Sequence, residues 1–202
     1  MKKALAISLE KLEGFKNPKV KLEQYVTPPT LAAEIVVNAK LMDDLNFVVD
    51  LGCGTGILTI ASSLLNARAI GVDIDFEAIK VAQKNAAQFK VTDKVDFIVC
   101  NVERFTIKSN LEVTTIMNPP FGIKKKHADR PFLTKAMEIS KVIYTIHSAN
   151  SEKFVKTMCK KRGFKITHLW KYKIPLRKTY SFHEKEFKLI PVEVYRLKRL
   201  IV

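Results

Sequence analysis

The sequence predicts an α/β fold on a mostly parallel sheet, and three stretches carry that prediction. Phe47–Leu51 is a short apolar run that passes through Gly52-Cys53-Gly54-Thr55-Gly56 into an apolar helix pattern from Ile57 to Leu65. Ala69–Val72 ends at Asp73 and again leads into a helix pattern. Val113–Ile116 is β-branched, and Met117-Asn118-Pro119-Pro120-Phe121-Gly122 follows at once. Each proline fixes φ and lacks an N–H, so that strand stops abruptly. Strands alternating with helices are the pattern of a parallel sheet. A chain of 202 residues with 47% hydrophobic content suits one domain with a substantial core.

Taken in order, residues 4–15 read as a short amphipathic helix with Leu5, Leu9 and Leu12 on one face, and 16–21 as a polar connector turning at Asn17-Pro18. Thr27 is placed as an N-cap, with Pro28 at the first position of a helix reaching Lys40. Asp75 is placed to cap a helix from Phe76 to Lys90, whose Ala78, Ile79, Ala82, Ala86 and Phe89 form an apolar stripe. Val95–Cys100 is a third strand ending at Asn101, and 113–116 is the fourth. Ile123–Arg130 contains Lys124-Lys125-Lys126-His127 with no apolar pattern, so it reads as a basic loop. A helix (Phe132–Ser140), a strand (Lys141–His147) and a helix (Ser151–Arg162) closing at Gly163 come next. Phe164–Ile174 and Phe187–Lys198 are the last two strands, joined by Leu176–Lys188.

Cys53, Cys100 and Cys159 are odd in number, far apart and in no metal-ligand spacing, which argues for a reducing compartment and against a zinc site or a disulfide framework. The apolar run after Lys2-Lys3 is broken by Ser8 and Glu10, so it does not make a signal peptide, and no stretch has the length of a membrane span. A cytoplasmic protein is expected. The net charge of +15 is uneven: residues 1–121 carry 14 Lys+Arg against 14 Asp+Glu, residues 122–202 carry 21 against 6. A folded basic face suggests a nucleic-acid partner, against the plainer reading of a lysine-rich surface.

The strand ends hold the candidate chemistry. In open α/β sheets ligands bind at the carboxyl ends of strands. There the Asn118 side-chain oxygen and the Pro119 carbonyl form a fixed pair of acceptors, with Phe121 as a flat apolar face. Two acceptors and a ring suit a planar group bearing an –NH2, such as a nucleobase; the bland alternative is a strand-ending turn with a core phenylalanine. Glycines in the 52–56 turn let backbone approach a ligand, but the third glycine of a dinucleotide fingerprint would fall at 57, which is Ile. The turn therefore suits a ligand without a pyrophosphate, with Asp50 near its cationic or amino group. Asp73 matches the ribose-hydroxyl position of nucleoside-binding folds, or else caps a helix. Asn101 reads an adenine edge or caps a turn. Gln24 and Tyr25 are within reach of a ligand. Arg177, Lys178, Tyr180, Phe182 and His183 interleave basic groups with aromatics, as RNA contacts do.

This set of motifs resembles class I S-adenosylmethionine-dependent methyltransferases that act on exocyclic amines. More narrowly, Glu23-Gln24-Tyr25-x-Thr27, Ile116 to Gly122 and Tyr180-x-Phe182-His183 resemble the methyltransferase-like protein 5 family of ribosomal RNA adenine-N6 methyltransferases and its archaeal relatives. The resemblance implies a Rossmann-like, seven-stranded, mostly parallel sheet with an antiparallel last strand beside the fifth and helices on both faces. It implies one domain over 1–202, in which 1–40 is a helical segment closing over the cofactor site and 41–202 is the core. It also implies that Gly52, Gly54 and Gly56 pass close to S-adenosylmethionine, that Asp73 binds its ribose and Asn101 approaches its adenine. Gln24, Tyr25 and Thr27 would close over the pocket. The family commonly has Asp where Asn101 stands. Eukaryotic members work with a small zinc-containing activator protein. The expected activity is methylation of an adenine N6 amine in structured RNA, with Asn118, Pro119, Pro120 and Phe121 as the catalytic set and Lys124, Lys125 and Lys126 on the RNA backbone. The rivals are other acceptors (guanine N2, DNA adenine, protein glutamine) and a non-catalytic RNA-binding assembly factor.

Overall fold

The structure, a computed structural model, describes residues 1–200 apart from 109–110, 125 and 178–186, and omits the side chains of 176–177 and 187–188. Seven strands form one sheet: β1 (Phe47–Leu51), β2 (Arg68–Asp73), β3 (Val95–Val99), β4 (Thr114–Met117), β5 (Val142–Ser148), β6 (Phe164–Arg177) and β7 (Phe187–Arg199). Their spatial order is β3-β2-β1-β4-β5-β7-β6. Only β7 runs antiparallel to its neighbours, inserted between β5 and β6. This is the topology that the sequence motifs imply.

Helices α1 (Lys2–Leu9), α2 (Pro29–Leu41), α3 (Ile57–Leu64) and α4 (Phe76–Gln88) cover one face of the sheet, and α5 (Arg130–Ile139) and α6 (Glu152–Arg162) the other. The β1 residues alternate between these two cores, Val48 into the first and Val49 and Leu51 into the second, which is why this strand reads as a continuous apolar run. The hairpin β6–β7 is tied down by Arg196, whose Nε and Nη2 donate to Asp44 Oδ2 at 2.7 Å and Oδ1 at 3.0 Å. Among the described residues no helix is long and apolar enough to cross a membrane.

Two sequence expectations fail locally. The first helix ends at Leu9, not at residue 15. Beyond it the chain is captured from outside: Asn85 Oδ1 accepts from the Glu13 N–H at 2.9 Å, and Asn85 Nδ2 donates to the Glu13 carbonyl at 3.0 Å. Thr27 is not the N-cap of α2. Pro28 holds that place in an extended conformation (φ −54, ψ 133) without a side-chain cap, and Pro29 is the first helical residue. A residue before proline is driven out of the helical region, so the helix starts one residue late and the Thr27 hydroxyl is released for other work.

Gly71 in β2 shows how tightly the floor beneath the glycine turn is built. A Cβ there would stand 2.7 Å from a Phe97 ring carbon and 2.9 Å from Cys53 Sγ. Gly71→Ala is expected to cost about 1–3 kcal/mol by overpacking, read in thermal unfolding as a fall of roughly 3–10 °C.

Candidate active site

The carboxyl ends of β1, β2 and β4 and the residue just past β3 surround a cavity of about 300 Å³, at the lower end of the range for small-molecule sites. Of the residues singled out from sequence, Gln24, Tyr25, Thr27, Asp50, Gly52, Gly54, Asp73, Asn101, Asn118 and Pro120 line it. Pro119 and Phe121 do not; with Glu23, Tyr25, Val26, Asn118, Pro120 and Ile174 they line a second, shallow depression. The two hollows share Glu23, Tyr25, Val26, Asn118 and Pro120. Gly56 lies outside both, at the N-cap of α3, where a Cβ would meet Ala82 and Phe97.

The turn after β1 needs glycine for two reasons. Gly54 has φ +52, and a Cβ on it would stand 2.7 Å from the Phe15 ring. At Gly52 (φ +76) the missing Cβ is replaced by the Phe132 ring, 2.8 Å from where it would be. Asp73 fixes the turn from the next strand: its Oδ2 accepts from Gly54 N–H at 2.8 Å and its Oδ1 from Asp75 N–H at 2.9 Å. Burial raises the Asp73 pKa, although these backbone donors oppose the shift. Asp75 caps α4, accepting from Glu77 N–H at 3.1 Å, as expected from sequence. Asn101 caps the single turn Val102–Arg104, its Oδ1 accepting from Glu103 N–H at 2.9 Å.

Two buried acceptors have no hydrogen-bond partner among the described residues, Asp50 Oδ1 and Asn118 Oδ1. Both belong to residues that line the cavity. Orphaned buried acceptors are costly unless a ligand satisfies them. Asp50 Oδ2 is already held by Thr59 N–H at 3.1 Å and Thr59 Oγ1 at 2.8 Å, so one oxygen remains for a donor. Asn118 is oriented by Thr27, whose Oγ1 accepts from Asn118 Nδ2 at 3.0 Å. That bond occupies one of the amide's two N–H groups and leaves its oxygen unused. The Pro119 carbonyl likewise accepts no backbone hydrogen bond among the described residues.

Burial pushes the Asp50 carboxyl up from 3.8 to about 7, Thr59 opposing and Asp73 adding to the shift. With the folded value raised, native protein holds more protons than unfolded protein between about pH 4 and 7. The group's contribution to stability is therefore complete below pH 4 and lost as pH rises through about 7. A cationic ligand group beside Oδ1 favours the carboxylate and expels that proton. Affinity for such a ligand is expected to rise from pH 5 to pH 7 and level off above it, with Asp50→Asn removing the slope; titration calorimetry across that range checks it.

The strap between α1 and α2, residues 10–28, covers the cavity with Phe15 and residues 21–27 on its wall, while α1 packs against α2 in the first core. Gln24 is committed to holding the strap: Lys19 N–H donates to its Oε1 at 2.7 Å, and its Nε2 donates to Asp75 Oδ2 at 2.7 Å. Lys19 Nζ reaches Asp75 Oδ1 at 2.6 Å. Sequence reasoning missed Phe15, Glu23 and Phe132, all on the cavity wall. Phe15 lies in an aperiodic connector and Phe132 reads as an ordinary helix residue; only the bare glycines facing them hint at their rings. Lys124 and Lys126 are exposed at the rim, and Arg177 ends β6. Lys125, Lys178, Tyr180, Phe182 and His183 lie outside the described residues.

A glycine turn after the first strand, a carboxylate ending the second and an Asn-Pro-Pro-Phe turn ending the fourth, on a sheet of this order, define a Rossmann-like methyltransferase. The family description of ribosomal protein L11 methyltransferase (PrmA) matches residues 29–121. The chain is 42% identical to an uncharacterized protein of Methanocaldococcus jannaschii, over 98% of this chain and 94% of that one. It is 31% identical to zebrafish (Danio rerio) rRNA N(6)-adenosine-methyltransferase METTL5, over 96% of this chain and 97% of that one. A crystal structure of a candidate RNA methyltransferase from Pyrococcus horikoshii superposes with a TM-score of 0.91 at 43% identity, covering 99% of this chain and 98% of that one. The chain belongs to the METTL5 family of rRNA N(6)-adenosine methyltransferases.

Proposed function

We propose that this protein transfers a methyl group from S-adenosylmethionine to the N6 amine of an adenosine in structured, ribosomal RNA. The observation that carries the proposal is the unpartnered Asn118 Oδ1, on a residue that lines both hollows, with Pro119 on the wall of the second.

The residues present fit the cofactor. Asp73 offers ribose hydroxyls a carboxylate already fixed by two N–H groups, Asp50 Oδ1 offers an amine an acceptor, and Gly52 and Gly54 line the same cavity, packed against the Phe132 and Phe15 rings. When bound, S-adenosylmethionine supplies a methyl group activated by a positively charged sulfur. The adenine amine is a poor nucleophile because its lone pair is delocalised into the ring. Asn118 Oδ1 and the Pro119 carbonyl, each accepting one of its N–H groups, favour a pyramidal nitrogen and stabilise the positive charge that grows there. No strong base is needed, since the proton becomes acidic as the new bond forms. Thr27 contributes by keeping the Asn118 amide in one orientation. Phe121 offers the extruded base a ring in place of its lost neighbour.

Basic groups at the rim, Lys124 and Lys126, and the exposed Lys171 and Lys173 of β6 suit an RNA backbone. Arg177, Lys125, Lys178, Tyr180, Phe182 and His183 belong to the same proposed contact surface. A small zinc-containing activator and a cytoplasmic setting complete the reading. For the activator, β3 is an edge strand of the sheet among the described residues and bears the exposed Ile98 and Val99. A second reading, a protein substrate, is favoured by the match of residues 29–121 to the L11 methyltransferases. The charge of residues 122–202 opposes it. Incubating the protein with labelled S-adenosylmethionine and ribosomal subunits separates the two: label in RNA is expected, and label in ribosomal protein would refute the RNA assignment. A non-catalytic binding factor would give no heat with S-adenosylmethionine in calorimetry.

A further inference from the structure

Glu23 is a carboxylate placed to hold the strap and the acceptor turn together. It is 7% exposed and lines both hollows. Its Oε2 accepts from Gly122 N–H at 3.1 Å and its Oε1 from Lys124 N–H at 2.7 Å. Gly122 has φ +77, so the chain after Phe121 curls and turns these two N–H groups toward a single anion. An internal carboxylate fills that concavity. Glu23 itself sits at φ +50, a conformation that non-glycine residues adopt at a cost. It is held there at the end of the turn Val20–Leu22, its N–H donating to the Val20 carbonyl at 3.1 Å.

On either side of Glu23 the same strap is anchored elsewhere. Gln24 and Lys19 reach Asp75, next to the carboxylate that fixes the glycine turn. Phe15 covers Gly54, and Thr27 orients Asn118. Whatever opens the strap to admit or release the cofactor must also break the bonds that Glu23 makes to residues 122 and 124. We infer that Glu23 is a positioning residue that couples closure of the strap over the cofactor to assembly of the Asn118–Phe121 acceptor turn, so that the RNA base binds well only after the cofactor. The inference rests on the functional reading above for the nature of the two ligands. By linkage, RNA must then tighten cofactor binding by the same factor that the cofactor tightens RNA binding.

Glu23→Gln tests this, because it keeps the shape but replaces one acceptor with an amide that repels the N–H facing it. Backbone-amide hydrogen exchange at residues 122–124 reads the coupling without any turnover. With S-adenosylhomocysteine added, exchange there is expected to slow at least ~10-fold in the wild type and to stay fast in Glu23→Gln. Equal protection in both proteins would overturn the inference. Kinetically, Glu23→Gln is expected to lower kcat and raise KM for RNA about tenfold or more, with KM for S-adenosylmethionine changed less than ~3-fold. Glu23→Asp, which keeps both acceptors, is expected to recover part of the loss. If both variants melt early and lose cofactor binding along with loop protection, Glu23 is scaffold and the positioning role is wrong. A wild type with cofactor-dependent protection that methylates no RNA would refute the functional reading alone. One that methylates RNA without such protection would refute the coupling alone.

Discussion

Asn118→Ala is expected to abolish most methyl transfer and to leave the cofactor bound. The rate at saturating substrates is expected to fall by about 10²–10³-fold, the cost of removing one preorganised group that meets transition-state charge. Dissociation of S-adenosylmethionine, measured by calorimetry, is expected to change by less than ~3-fold, because the cavity's glycine turn, Asp50 and Asp73 are untouched. The asymmetry follows from the geometry. One Asn118 N–H is held by Thr27, the amide oxygen is unspent, and the residue lines both hollows. Thr27→Val, which removes the orienting hydroxyl while keeping the volume close, is expected to lower the rate in the same direction by a smaller factor. Lost cofactor affinity with retained turnover in Asn118→Ala would reverse the assigned role.

The opposite pattern is expected for Asp73→Ala. Its carboxylate accepts from the Gly54 and Asp75 N–H groups, and both bonds are charge-assisted. Hydrogen bonds to charged groups are worth roughly 1.5–3 kcal/mol each, so removing this acceptor loosens the turn and withdraws the ribose partner together. Affinity for S-adenosylmethionine is expected to fall at least ~10-fold, and the rate at saturating cofactor to be largely preserved. A variant that binds the cofactor normally would show that Asp73 only caps the turn. Calorimetry and a cofactor-dependent rate curve decide between these results.

What the sequence made legible shares one property: the chemistry is local. Asp75 capping α4, the bare glycines after β1 and the abrupt end of β4 at Asn118 each follow from a few adjacent residues; the structure has Asp75 as the cap and places Gly52, Gly54 and Asn118 around one cavity. The parts that could not be read depend on distant partners. Glu23 meets Gly122 and Lys124 across 99 and 101 residues, with no periodicity to announce it. The first helix stops early because Asn85, 72 residues away, takes the backbone groups of Glu13. Gln24 reads as a ligand contact from its place just before the helix; both ends of its amide are satisfied by Lys19 and Asp75, and the residue lines the cavity. Thr27 was misplaced for a different reason. Thr-Pro-Pro fits N-capping in either register, and the second proline's effect on the first decides it. Its hydroxyl then serves the site instead of the helix, an outcome that residue type alone does not distinguish.

The central claim is that two fixed oxygens hold an adenine amine against a methyl donor. The direct measurement is to incubate the protein with isotopically labelled S-adenosylmethionine and small-subunit ribosomal RNA, digest the RNA to nucleosides and identify the labelled species by mass spectrometry. Label is expected in N6-methyladenosine, and none with Asn118→Ala; label in N2-methylguanosine, or none in RNA while the cofactor binds, would show that these oxygens do not hold an adenine amine.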